Sequence, residues 1–129
     1  MGSFTVSSSS DGRKLVFSNL AGEQVDVSCG DSVVFAKKRV YLYTDAKGVA
    51  KLFKRMASKW RGWSGSLEFS SIEGDLFLSA STDALGHVQL VVHLRNYHPD
   101  DDWEVTIPIH LEAGSLERYA NEAKQYFNQ

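Results

Sequence analysis

Three segments in the second half of the chain alternate between apolar and polar residues, and this pattern constrains the fold more than any other feature. The segments are 75–80, 87–94 and 103–111. Because successive side chains of a β-strand point to opposite faces, each segment predicts a strand with one apolar face. Successive strands of this kind are typical of an antiparallel sheet that is covered on one side. Pro108 has no N–H group to donate, so its strand is expected at a sheet edge or at a bulge.

The first part of the chain also favours strands. Residues 1–12 are expected to form a short and loose N-terminal segment, whose polar stretch 7–12 is either a hairpin loop or part of a tail. Three strands rich in residues that suit a pleated surface then follow as a meander, at 14–20, 24–29 and 32–43. A shorter strand is predicted at 66–71, ahead of the alternating segments.

Two helices are predicted from apolar residues that recur every three or four positions. The first begins at Asp45, whose carboxylate can accept from the free N–H groups of the first turn. Its predicted buried stripe contains Val49, Phe53, Met56 and Trp60. The second follows Gly114, with Ser115 as its N-cap. Its predicted buried stripe contains Leu116, Tyr119, Ala120, Ala123 and Phe127.

The order of elements (strands, helix, strands, helix) predicts an α+β fold. We expect an antiparallel sheet of about six or seven strands, with one helix in the middle of the chain and one at the C-terminus. A length of 129 residues suits one domain, because single hydrophobic cores typically span about 100–150 residues. Residues 1–129 are therefore expected to form a single domain.

The cellular compartment is predicted from cysteine usage and from the absence of a targeting pattern. Cys29 is the one cysteine of the chain, so it cannot form an internal disulfide, and this favours a reducing compartment. It is expected to be a small apolar filler at the end of a strand. The N-terminus lacks a signal-peptide pattern, and no apolar stretch approaches the roughly 20 residues that a membrane span needs. We expect a cytoplasmic protein without a membrane partner.

The four histidines do not predict a metal site. His87 and His93 share a strand face but lie about 20 Å apart at the rise of a strand. His93 and His110 can approach across a hairpin, but no cysteine pair or acidic partner completes a ligand set. One allowed register instead places Arg95 beside Glu104, and His87 beside Glu112, as ordinary cross-strand pairs.

Catalytic motifs are also absent from the sequence. It contains no nucleophile elbow, no phosphate-binding loop and no dinucleotide fingerprint. Glu68, Glu73 and Asp75 are weak candidates for a carboxylate pair, because 73–75 reads as a turn. We therefore expect no enzyme activity, and no catalytic, cofactor-binding or metal-binding residues.

The three tryptophans are large enough for their burial to matter. Trp60 falls on the predicted stripe of the first helix, and Trp103 on the apolar face of its strand, so both are expected in the core. Trp63 follows the helix and is either a plug at a hinge or an exposed contact.

Charge is distributed unevenly along the sequence. Residues 37–61 contain nine basic residues and one acidic residue, whereas residues 62–129 contain three basic and eleven acidic residues. One interpretation is that the basic face is simply solvated and pairs with acidic strands nearby. The functional alternatives are a nucleic-acid patch or a partner surface. The densest anionic feature is the run Asp100, Asp101 and Asp102, which could steer a basic protein.

Short motifs in the second half carry a family resemblance. They are WRGWSG at 60–65, SIEGDL at 71–76, GHV at 86–88, Trp103, and EAGSL at 112–116. In this order they resemble small uncharacterised bacterial proteins that form a family of unknown function, and they are similar to the WapI-type immunity proteins. The resemblance covers about residues 40–127.

The resemblance implies a non-catalytic cytoplasmic protein that binds and neutralises a cognate toxin domain. Asp100, Asp101 and Asp102 are then the candidate partner-binding residues. The alternatives are a nucleic-acid-binding domain that uses residues 37–61, which we consider less favoured, and a domain that binds a small ligand.

Overall fold

The computed structural model of the protein describes residues 2–43 and 47–128. Within these residues the strands are β1 (Ser3–Ser7), β2 (Lys14–Ala21), β3 (Gln24–Gly30), β4 (Phe35–Tyr41), β5 (Leu67–Ser70), β6 (Leu76–Thr82), β7 (His87–Asn96) and β8 (Trp103–Glu112). The helices are α1 (Gly48–Ser58), between β4 and β5, and α2 (Leu116–Phe127), which follows a 3-10 turn at Ala113–Ser115.

The strands form two antiparallel sheets of four strands each. Neighbours along the chain are neighbours in space, in the orders β1-β2-β3-β4 and β5-β6-β7-β8. The predicted α+β class is confirmed, but the expectation of one sheet of about six or seven strands was wrong. The physical reason is α1, which stands between β4 and β5, where a hairpin would need a connection of only about two to five residues.

β1 is a strand that the sequence analysis did not predict. Its register with β2 places Phe4 opposite Phe17, and both rings are buried. The polar stretch that follows is a hairpin loop, in which the Ser8 N–H donates to the Arg13 carbonyl oxygen at 2.9 Å. The first strand is held in the sheet because Phe4 and Val6 both face the core.

The strands β7 and β8 of the second sheet pair in the allowed register that was described from the sequence. His87 lies opposite Glu112, and Arg95 lies opposite Glu104. Pro108 lies on β8, which is an edge strand, so its missing N–H leaves no gap in the ladder between two strands. These expectations are confirmed, and the alternation of burial along β7 and β8 places the charged pairs on the outer face.

The buried residues of both sheets and both helices form one continuous hydrophobic core. Phe4 is its aromatic centre, with ring centroids at 5.8 Å from Phe17, 5.3 Å from Phe53 and 6.3 Å from Phe127. Rings from the first sheet and from both helices thus meet at one point, and their mutual contacts join elements that are far apart in the sequence.

Helix α1 ends at Ser58, two residues before Trp60, which is 54% exposed. The prediction that Trp60 belongs to the core was therefore wrong, because the chain leaves the helical path before that residue is reached. Asp45, the predicted N-cap, lies outside the described residues. Ser115 precedes α2 as predicted, but its hydroxyl donates to the Glu112 carbonyl oxygen at 2.7 Å instead of capping the helix.

The two helices cover the open side of the sheets. α1 contacts β5, α2 contacts β1, and the helices pack against each other. Lys47, at the start of α1, and Phe127, at the end of α2, line the same cleft between the helices. Ala57, near the end of α1, and Gly114, just before α2, line a second cleft, so the helices run antiparallel. Within the described residues, neither helix is long and apolar enough to cross a lipid bilayer.

Candidate functional site

The loop between β7 and β8 carries the three aspartates that the sequence singled out. Asp100, Asp101 and Asp102 are all exposed. The Asn96 side-chain amide donates to the Asp101 carbonyl oxygen at 2.6 Å, and the Asp101 N–H donates to the His98 carbonyl oxygen at 3.0 Å. These bonds hold the loop backbone, so the three carboxylates are presented to solvent on one short, ordered segment.

Tyr97 lies at the base of this loop and was not predicted as a site residue from the sequence. Its side chain is 55% exposed, and the guanidinium carbon of Arg95 lies 4.1 Å from the ring centroid. Arg95 also approaches Asp102, at 3.7 Å between Nη2 and Oδ2. One arginine therefore positions both the aromatic ring and the acidic loop.

Two clefts flank Tyr97. The first has a volume of about 310 Å³ and is lined by Tyr97, His98, Pro99 and Asp102. The second has a volume of about 370 Å³ and is lined by Lys38, Glu73, Asp75 and Tyr97. Carboxylates thus lie on both sides of the ring. Together they form an acidic aromatic surface, which consists of Glu73, Tyr97, Asp100, Asp101 and Asp102.

A buried polar network supports the second cleft. The Ser71 hydroxyl donates to Asp75 Oδ1 at 2.5 Å, and the Leu76 N–H donates to Ser71 Oγ at 3.0 Å. Lys38 Nζ lies 3.8 Å from Asp75 Oδ2 and donates to Asn96 Oδ1 at 3.1 Å. Because Lys38 belongs to β4, this network ties the first sheet to the second directly beneath Tyr97.

Two further tyrosines form an exposed aromatic pair at the end of β4. Tyr41 and Tyr43 stack with ring centroids 5.9 Å apart and are both exposed. Partial desolvation, followed by the Glu23 carboxylate, raises the pKa of Tyr41, and Tyr43 and Glu73 act in the same direction.

Of the three candidates for a carboxylate pair, two lie close together and the third, Glu68, lies on a strand. Glu73 and Asp75 line the same cleft, but Asp75 is 3% exposed and bonded to Ser71. Glu68 lies on β5, where the Ser66 hydroxyl donates to its Oε2 at 2.8 Å. Asp75 thus has a structural role at this site.

The histidines form cross-strand and turn contacts. His87 Nδ1 lies 3.0 Å from Asp83 Oδ2, and the hydrogen bond that the ring donates to Asp83, together with the charges of Asp83 and Glu112, raises the pKa of His87. His93 Nε2 lies 3.3 Å from Glu104 Oε1. In the part of the chain that the structure describes, no group of three or more His, Cys, Asp or Glu residues is placed to hold a metal ion.

Cys29 lies in the core, as predicted, at the penultimate position of β3. Burial raises the pKa of its thiol to about 11. The thiol is therefore protonated at neutral pH, and a protonated, enclosed thiol is a poor nucleophile.

The basic segment 37–61 is divided between two elements. On β4, Arg39 pairs with Asp26 at 2.9 Å and Lys38 approaches Asp75. These contacts agree with the interpretation that basic residues pair with acidic strands nearby. Lys37 also lies on β4 and is exposed, and the other basic residues of the segment lie on or beside α1.

The comparisons with known proteins show which family the chain represents. Residues 7–129 match the family of unknown function DUF6228. The chain belongs to the DUF6228 family. The expected resemblance to a family of unknown function is confirmed, and the match reaches further towards the N-terminus than residue 40. No curated protein and no solved structure matches the sequence of this DUF6228 member.

Proposed function

We propose that this DUF6228 protein is a non-catalytic binding protein of the immunity type. It binds and neutralises a toxin domain of a second protein in the bacterial cytoplasm. The observation that carries the proposal is the acidic aromatic surface, where exposed Tyr97 stands between carboxylates on both sides. The resemblance of motifs in the second half to WapI-type immunity proteins supports the same class of function.

The charge of this surface suits a basic partner. Asp100, Asp101 and Asp102 are exposed and adjacent, so they attract a positively charged protein and accelerate its association. Toxin domains that act on nucleic acids carry basic active sites, because they must bind phosphates. An acidic inhibitor therefore competes directly with such a substrate.

Tyr97 adds an aromatic contact to the electrostatic attraction of the aspartates. Exposed tyrosines that are flanked by polar groups are common among the residues that dominate the energy of protein interfaces. The contact with Arg95 and the hydrogen bonds of the loop hold Tyr97 and the loop backbone in place without a bound partner. Less conformational entropy is then lost on binding.

The proposal is tested with an isosteric charge variant and a matched control. D100N/D101N/D102N removes three charges from the acidic aromatic surface, whereas E68Q/E117Q/E122Q removes three exposed charges elsewhere. Tagged wild-type protein and both variants are used to capture partners from the native lysate, and the captured protein is then expressed alone and with each variant.

The expected result is one stoichiometric partner that arrests growth when expressed alone. Wild-type protein and the glutamine variant should rescue growth, and the asparagine variant should associate about tenfold more slowly. Y97A should weaken binding about tenfold or more, whereas L85A, in the exposed turn before β7, should change it less than about twofold. A harmless partner, or equal capture by all variants, would contradict the proposal.

A further inference from the structure

A groove runs along the outer side of the helix pair. Its first section has a volume of about 360 Å³ and its second about 630 Å³. Lys54, Ala120 and Asn121 line both sections, so the groove is continuous. It extends from Lys47 to Trp60, and its helical part along α1 (Gly48–Ser58) is about 16 Å long.

The floor of the groove is apolar and its rim is positively charged. Ala50, Ala57, Ala120 and Phe127 form the floor and pack against the core. The rim carries Lys47, Lys51, Lys54 and Lys124, against which only Glu117 in the second section is acidic. Among residues 2–43 and 47–128, none of the four lysines forms a salt bridge.

We propose that this groove binds an acidic amphipathic helix of a partner protein. The apolar face of such a helix covers the alanines, and its carboxylates meet the lysine rim. The short alanine side chains allow the backbone of a third helix to approach closely, as in ridges-into-grooves packing. A length of about 16 Å matches about three helical turns.

The features of the groove favour a helix over other anionic partners. A nucleic-acid strand needs aromatic platforms for its bases, and Trp60 is the only aromatic residue exposed along the described groove. A small ligand needs a cavity that encloses most of its surface, whereas this groove stays open along its length. A helix needs an elongated apolar trough with charge along its margins, which is the arrangement present.

This surface is distinct from the acidic aromatic surface in residues and in sign of charge. The proposals for the two surfaces can therefore be contradicted independently of each other. D100N/D101N/D102N should leave helix binding in the groove unchanged, and a groove variant should leave capture by the acidic aromatic surface unchanged.

The test uses a synthetic helical peptide as the probe. A fluorescein-labelled, stapled peptide of about 18 residues carries leucines at every third or fourth position and glutamates on its other faces. A second peptide has lysines in place of the glutamates. Binding is measured by fluorescence anisotropy at low and physiological salt for wild-type protein, K51E/K54E and the control K14E/K37E, whose lysines are exposed on the first sheet.

The glutamate peptide should bind wild-type protein, with an affinity that falls as salt rises. K51E/K54E should weaken this binding about tenfold and gain affinity for the lysine peptide, whereas K14E/K37E should change it less than about twofold. Trp60 fluorescence should change on binding, because this residue lines the groove.

Three results would overturn the proposal. The first is no binding of the glutamate peptide at about 1 mM, a concentration at which even a weak interface is occupied. The second is equal weakening in both lysine variants. The third is displacement of the peptide by a single-stranded DNA oligonucleotide that binds more tightly through Lys51 and Lys54, which would assign the groove to nucleic acid.

Discussion

At the scale of single residues, Asp75 connects the two sheets. It is 3% exposed, and it accepts from the Ser71 hydroxyl while Lys38 approaches its other oxygen. A buried carboxylate is tolerated only where such partners replace the lost water. The sequence places Asp75 in a Glu-Gly-Asp turn, and nothing local distinguishes it from an exposed turn residue.

Replacement of Asp75 by alanine should lower the free energy of unfolding by about 2–4 kcal/mol, because Ser71 Oγ loses its acceptor and Lys38 loses its counter-charge. Urea denaturation followed by circular dichroism measures this loss. Asp101→Ala, in the exposed loop, is the matched control and should change stability by less than about 0.5 kcal/mol. A loss of that small size for Asp75→Ala would show that the network contributes little.

At the scale of elements, the end of α1 decides the roles of two tryptophans. Trp60 follows the helix and is 54% exposed, with Arg61 placed 5.0 Å above its ring. Trp63 is half-buried, and its indole N–H donates to the Ala80 carbonyl oxygen at 3.0 Å. Trp63 was expected to be either a plug at a hinge or an exposed contact. Its hydrogen bond to β6 and its partial burial show that it is the plug.

Trp63→Ala should therefore destabilise the protein by about 3–4 kcal/mol, because it removes a large packed side chain and the hydrogen bond to β6. Trp60→Ala should change the free energy of unfolding by less than about 0.5 kcal/mol. Thermal or urea unfolding compares the two variants directly. Similar losses for both would place Trp60 in the core after all.

The turn between β6 and β7 makes the stability of the protein depend on pH. Asp83 accepts from the N–H groups of Leu85 and His87 and also contacts the His87 ring. These backbone bonds lower the pKa of Asp83, so its carboxylate is ionised throughout the range in which His87 titrates. The contact with this carboxylate favours the protonated ring and raises the pKa of His87 above 6.5.

The raised pKa of His87 determines whether the stability of the protein rises or falls with pH. Protonated His87 stabilises the fold fully below its unfolded pKa of 6.5, and this stabilisation is lost as pH rises through the higher folded value. The urea midpoint of wild-type protein should fall between about pH 6 and pH 8 relative to that of H87Q. NMR titration of the ring gives the pKa itself, and a value at or below 6.5 would contradict the mechanism.

At the scale of the whole molecule, the same order of elements occurs twice. Four antiparallel strands are followed by a helix in both halves, yet no internal repeat is evident in the sequence. Each helix contacts a strand of the opposite half, since α2 contacts β1 and α1 contacts β5. The halves therefore share one core, with Phe4 at its aromatic centre.

A shared core predicts one cooperative transition. Phe4→Ala should lower the free energy of unfolding by about 3–5 kcal/mol, and tryptophan fluorescence from the second half and far-UV circular dichroism should lose signal together. Thr5→Ala, on the other face of β1, is the control and should have a small effect. Two separate transitions would show that the halves unfold independently.

The candidate site was only partly predictable from the sequence. The run Asp100 to Asp102 is visible as a cluster of charge, and its proximity to a strand end was expected. Tyr97 could have been noticed as an aromatic residue between the strand and this run. Its partners could not, because Gly74 and Glu73 reach it from a separate turn, and the contact with Arg95 on β7 depends on how that side chain is oriented.

The sequence by itself determined the local elements, because alternation and helical periodicity act over a few residues. It also gave, as one allowed register of β7 against β8, the pairing that the structure has, because the two strands keep their apolar faces on the same side. Only the tertiary structure decided the split into two sheets, the incorporation of β1, the exposure of Trp60 and the groove between the helices. Each of these depends on contacts between distant segments, which burial of the shared core selects and which no local pattern encodes.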